Sequence, residues 1–131
     1  QMRAGEHSDY GSLTLLFQEE GSSGLEILNH QKEWIPVTPS IPNLVVNLGD
    51  LMEHWTNGRW ISTLHRVVAP QNKKDLAQSR MSLAFFQQPD WYARIECLPT
   101  CIDYDKTSKY PVLTSGKHLM ERFQSTVVNE T

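Results

Sequence analysis

An all-β chain, folded as an antiparallel double-layer barrel of jelly-roll type with a helix near its C-terminal end, is what the sequence predicts. Short β-branched and aromatic runs recur along the chain, glycine or proline turns separate them, and helical segments do not alternate with them. At 131 residues the chain suits one domain, residues 1–131, and can bury roughly two-thirds of its unfolded surface.

The first informative stretch is Gly5 to Gly11, where His7 and Asp9 stand two apart. On an extended strand alternate side chains share a face, so an imidazole and a carboxylate project together. Ser12 to Phe17 reads as the next strand, ended by the polar turn Glu19 to Gly24. Leu25 to Asn29 and Glu33 to Ile35 follow as two short strands around the turn at His30, Gln31 and Lys32, which suggests a meander. Pro36, Pro39 and Pro42 then interrupt the pattern, because proline donates nothing to a sheet ladder; residues 36–43 are a loop or a sheet edge.

Leu44 to Asn47 is a compact apolar strand stopped by Gly49-Asp50, and Leu51 to Trp55 fits one helical turn or an extended continuation equally well. Asn57-Gly58 is a hairpin signal, since both residues accept the positive φ of a type I′ turn. It predicts pairing of the preceding strand with Trp60 to Val68, the run that carries His65. Residues 70–78 are a solvated loop, and Ser79 to Phe86 is a strand with Arg80, Ser82, Ala84 and Phe86 on a pocket-facing side. Tyr92 to Cys97 is a last short strand. Ser115 to Gln124 reads as a helix with Ser115 as N-cap, whose apolar stripe Leu119, Met120 and Phe123 packs on the sheet or on a neighbouring chain.

Composition narrows the function. Charged residues make up 21%, the net charge is −3 and no basic cluster occurs, so nothing advertises a nucleic acid or an anionic membrane as partner. No apolar run approaches the ~18 residues of a membrane span, and residues 1–6 lack a signal-peptide core, which makes the cytosol the default compartment. Cys97 and Cys101 are expected as free thiols, and a single pair does not complete a tetrahedral metal site.

Two histidines and one carboxylate, His7, Asp9 and His65, form the set that holds ferrous iron on one face and leaves positions open for oxygen chemistry. Arg80 and Ser82 place a guanidinium and a hydroxyl on one strand face, a fork suited to a carboxylate. Taken singly, a His-x-Asp pair is common by chance, a lone histidine is ordinarily a hydrogen-bonded core residue and a lone arginine a surface charge. His30, His54 and His118 do not share the strand spacing and are not expected at the metal.

Order and connecting sequence add a resemblance. His7-Ser8-Asp9-Tyr10-Gly11-Ser12-Leu13-Thr14-Leu15-Leu16, the run Val46 to Trp60, Ser62-Thr63-Leu64-His65-Arg66-Val67 and Arg80-Met81-Ser82-Leu83-Ala84-Phe85-Phe86 are similar to the non-haem iron oxygenases of the isopenicillin N synthase-like, 2-oxoglutarate-dependent family. The likeness covers about residues 3–96, with 97–131 as a C-terminal extension. It implies a double-stranded β-helix, the cupin-like jelly roll, incomplete at its N-terminal side, because relatives place helices, strands and an Asn-x-Tyr-Pro-like segment before the first ligand.

The resemblance further implies Fe(II) held by His7, Asp9 and His65, with 2-oxoglutarate as cosubstrate and ascorbate as a further candidate reductant. The far carboxylate of the oxo acid would pair with Arg80 and Ser82, while Phe86 and Gln88 fall where several relatives line the substrate; core and loop roles suit those two residues equally. Partners would be a small organic molecule and dioxygen, with hydroxylation, desaturation or ring closure as outcome and succinate and carbon dioxide as coproducts. Two other readings compete: an iron oxidase of the same family that does without 2-oxoglutarate, and an inactive barrel fragment serving as an interaction module.

Overall fold

A computed structural model describes residues 2–38, 40, 42–69, 81–102 and 107–128. Its strands are β1 (Met2–His7), β2 (Leu13–Gln18), β3 (Leu25–Leu28), β4 (Trp34–Pro36), β5 (Val45–Leu48), β6 (His65–Val68), β7 (Ser82–Gln87), β8 (Arg94–Ile95) and β9 (Leu113–Thr114). Helix α1 spans Asp50–Trp55 and helix α2 spans Ser115–Val128, with a 3-10 turn at Pro99–Cys101. The sheets run β1-β6-β3-β4, β5-β2-β7 and β8-β9. From β1 to β7 successive strands change between the two larger sheets at β2, β3, β5, β6 and β7, which is the crossing pattern of a jelly roll rather than of a meander. The expected meander is therefore limited to the β3–β4 hairpin, since β2 belongs to another sheet.

The chain divides into two compact units, one of Gln1–Ser8, Leu15–Asn47 and Thr63–Phe85, the other of Asp9–Thr14, Leu48–Ser62 and Phe86–Thr131. In the first, β6 lies between β1 and β3, antiparallel to both. Leu25 is buried, and Arg66 reaches across the ladder to Glu26, its register partner. In the second, Leu51, Ile95 and Leu113 form the apolar core with Trp55 against it. Leu51 and Ile95 are the fully buried large side chains among the described residues.

Several sequence expectations are corrected here. Asn57-Gly58 makes no β-hairpin, although both residues have the expected positive φ, 55° and 77°. They end α1: the Asn57 N–H donates to the His54 carbonyl and the Gly58 N–H to that of Glu53, a Schellman closure in which asparagine takes the left-handed position. The strand expected over Trp60 to Val68 shortens to His65–Val68, because side chains satisfy the backbone before it. Thr56 Oγ1 accepts from the Trp60 N–H and a Glu53 carboxylate oxygen from the Ser62 N–H. Asp9 lies beyond the end of β1, so it does not alternate with His7 on one strand.

Tyr92 to Cys97 contributes only Arg94–Ile95 to a strand, paired with β9, which carries no period-2 signal of its own. Helix α2 extends four residues past its expected end, and its N-cap is Thr114, whose Oγ1 accepts from the Lys117 N–H; Ser115 is already inside the helix. Its expected apolar stripe is not the packed face: Met120 and Phe123 are exposed, whereas Ser115, Gly116 and His118 are buried. Both cysteines are free thiols, as expected. No helix among the described residues is long and apolar enough to cross a membrane.

Candidate metal centre

Strand pairing brings the two histidines together. His7 closes β1, His65 opens β6, and the two are direct partners in the antiparallel register, so their side chains meet as a cross-strand pair. Their ring centroids are 4.3 Å apart with planes inclined by 56°. Each Nδ1 faces the carbonyl two residues earlier, His7 that of Gly5 at 2.8 Å and His65 that of Thr63 at 3.1 Å. A carbonyl can only accept, so both rings carry their proton on Nδ1. In the neutral tautomer Nε2 then holds the lone pair that a metal requires.

Asp9 is buried and reaches the same place from a loop. The N-terminus of α1 holds that loop: the N–H groups of Gly49, Asp50 and Leu51 donate to the carbonyls of Ser12, Asp9 and Gly11 at 2.8, 2.8 and 3.0 Å. Donors that a helix start leaves without intrahelical partners are thereby satisfied, and α1 has no side-chain cap. The approach is close enough to require glycine twice. A Cβ on Gly49 would stand 2.3 Å from the Gly11 carbonyl oxygen, and one on Gly11 would stand 2.4 Å from that of Gln87.

One donor atom from each of His7, Asp9 and His65 lies within 4.8 Å of the others. Among the described residues no other group of three such side chains meets this condition. Nitrogen, nitrogen and oxygen donors, two with their tautomer set, fit a divalent iron and leave coordination positions open.

The remaining predicted residues are placed less tightly. Arg80 lies outside the described residues. Ser82 opens β7, all six residues of which are exposed, so burial does not distinguish a pocket face from its opposite. Phe86 is 56% exposed. Gln88 is exposed but sits beside the loop that carries Asp9, its Nε2 2.9 Å from where a Cβ on Gly11 would be.

A second polar cluster escaped sequence reasoning. The Asp50 carboxylate lies 3.1 Å from Arg122 Nε and 3.6 Å from His118 Nε2 on α2. Arg122 also stands 4.7 Å from the ring centre of Tyr10, and the Tyr10 hydroxyl lies 2.9 Å from Thr126 Oγ1. His54 stacks on Tyr110 with centroids 4.3 Å apart, and burial followed by the nearby His118 holds its pKa below the usual 6.5. The Tyr110 hydroxyl donates to Glu53, and burial together with that carboxylate pushes its pKa up to about 12. The spacing of His118 and Arg122 on one helix face was the available signal, but nothing local says which carboxylate they meet.

Comparison with known proteins decides the family. The model of the 2OG-Fe(II) oxygenase superfamily matches residues 1–89. The chain belongs to this superfamily. It is 37% identical over 124 residues to the 2-oxoglutarate-dependent dioxygenase htyE of Aspergillus rugulosus, a match covering 90% of this chain and 36% of that protein. It is 40% identical over 107 residues to 1-aminocyclopropane-1-carboxylate oxidase 3 of Cucumis melo, covering 80% and 32%.

Among solved structures, full-length Neurospora crassa T7H in complex with alpha-KG and thymine superposes with a TM-score of 0.87 at 41% identity, over 96% of this chain and 38% of that one. The 2OG-Fe(II) oxygenase chain thus spans about a third of the length of the curated relatives it matches. Its fold class is the jelly roll expected from the sequence.

Proposed function

We propose that residues 1–131 act as the catalytic domain of an Fe(II)- and 2-oxoglutarate-dependent oxygenase that oxidises a small organic molecule with dioxygen and releases succinate and carbon dioxide. The observation that carries this reading is the convergence of His7, Asp9 and His65, with both imidazoles held in the Nδ1–H tautomer. His7 and His65 would each give an Nε2 lone pair and Asp9 a carboxylate oxygen. Ferrous iron bound there supplies the open positions for a 2-oxo acid and dioxygen, and the electrons that activate dioxygen.

Arg80 would receive the far carboxylate of 2-oxoglutarate in its planar fork, and the Ser82 hydroxyl would donate to the same group. Phe86 and Gln88 would border the substrate; the position of Gln88 next to Gly11 supports this for the latter. The compartment proposed is the cytosol, which two free thiols suit.

Anaerobic titration of the metal-free chain with Fe(II) and then 2-oxoglutarate tests the reading. The expected result is a weak visible charge-transfer band that is absent in His65→Ala and lost or weakened in Arg80→Ala. Succinate formation should require iron and oxygen, and adding ascorbate to that assay measures its contribution. The similarity to aminocyclopropane carboxylate oxidases gives the second reading a specific footing. Oxygen uptake independent of 2-oxoglutarate would favour it.

A further inference from the structure

The geometry points to Thr14 as a positioning residue that holds the Asp9 carboxylate in place for one-oxygen ligation, an inference that rests on His7, Asp9 and His65 being metal ligands. Both side chains are almost wholly buried, Thr14 with 4% and Asp9 with 5% of their surface exposed. The Thr14 hydroxyl donates to Asp9 Oδ2 at 2.5 Å. Thr14 lies on β2, and a β-branched side chain on a strand has few χ1 choices, so the direction of its hydroxyl is set by the sheet.

An aspartate carboxylate has two equivalent oxygens and rotates about χ2. Left alone, it can ligate through one oxygen or both. A hydrogen bond to Oδ2 makes the oxygens unequal and fixes the carboxylate plane, while the Asp50 N–H holds the Asp9 backbone. The distinction matters because an octahedral ion with three protein donors keeps three positions, two for a chelating 2-oxo acid and one for dioxygen. A carboxylate swinging into two-oxygen ligation would take one of them. Thr14 prevents that swing.

Metal affinity, measured by anaerobic calorimetry with Fe(II) or Co(II) on the full chain, separates this role from simple packing. Thr14→Val keeps the shape and removes the donor, and should weaken metal binding about tenfold, the scale on which outer hydrogen bonds act on ligands. Thr14→Ser keeps the hydroxyl and should stay within about twofold of the parent. Thr14→Ala replaces Thr14→Val if circular dichroism shows the latter unfolded. His65→Ala is the reference that should abolish binding.

A folded Thr14→Val chain with parental affinity, alongside a His65→Ala chain that no longer binds, would overturn the role of Thr14 and leave the metal centre standing. Thr14→Ser as weak as Thr14→Val would show that packing, not the hydroxyl, matters, and would also overturn it. Unchanged binding in His65→Ala would overturn the metal reading and this inference together.

Discussion

In the first unit the guanidinium of Arg66, next in sequence to His65, lies 4.0 Å from the centre of the Trp34 ring and pairs with Glu26 at 2.7 Å. In the second, Arg122 lies 4.7 Å from the ring of Tyr10, next in sequence to Asp9, and pairs with Asp50 at 3.1 Å. The chemistry is the same, an arginine between an aromatic face and a carboxylate. The construction differs. Arg66 and Glu26 are register partners in a ladder whose central strand has neighbours on both sides, so backbone hydrogen bonds place His65 whatever the arginine does. Arg122 and Asp50 sit on different helices, and the loop of Asp9 depends on such tertiary contacts and on glycine. Candidate ligands held by a sheet should therefore tolerate nearby substitutions that a candidate ligand held by a loop does not.

The largest contrast is expected at glycine. Gly11→Ala would drive a Cβ to 2.4 Å from a backbone oxygen, and overpacking against backbone should cost roughly 3 kcal/mol. Gly5→Ala in β1 meets nothing within 4 Å and should be neutral or slightly stabilising. Urea midpoints of the two variants give the comparison directly; equal losses would break it.

A middle-sized effect should separate the two arginines. Arg122→Met removes a charged partner from the largely buried Asp50 and should cost about 1.5 kcal/mol, with weaker metal binding through the Asp9 loop. Arg66→Met takes the partner from Glu26, a carboxylate in a pair of similar burial, so it should cost about as much stability but leave metal affinity unchanged. Calorimetric metal titration beside urea unfolding distinguishes them, and equal losses of metal affinity would remove the proposed difference between sheet and loop.

The smallest effect is one of pH and belongs to the second unit alone. Burial and then His118 depress the pKa of His54, while Asp50 and Glu53 oppose the shift and Tyr110 stacks on the ring. Between the folded pKa and about 6.5 the unfolded chain binds more protons than the folded one, so stability rises with pH across that window. This contribution is complete above about 6.5 and lost as pH falls through the folded pKa. Urea midpoints measured from pH 7.5 down to 5 should show it in the parent and not in His54→Phe. An unchanged slope in the variant would assign the acid sensitivity elsewhere.

How much of this was legible in the sequence varied with the kind of signal. His7, Asp9 and His65 could be singled out because chemistry restricts which residue types serve as ligands and because their order matched a known pattern. The strands were legible where alternation or β-branching was continuous, as in Leu13–Gln18 and Leu25–Leu28. Asn57-Gly58 was misread because positive φ at an Asn-Gly pair serves a hairpin and a helix end equally; the choice fell to the carbonyls of Glu53 and His54. Two-residue β9 had no local signal, since only pairing with β8 makes it a strand.

By itself the sequence determined the all-β class, the positions at which the backbone must turn and which side chains are candidate metal donors, because these depend on residue type and short-range periodicity. Tertiary structure alone decided that His7 and His65 face each other in register, that α1 caps the loop of Asp9, and that a buried threonine hydroxyl reaches its carboxylate. Those contacts join segments distant along the chain or hidden in a loop, and the free energy that selects them comes from burial and hydrogen bonding available only after the strands have paired.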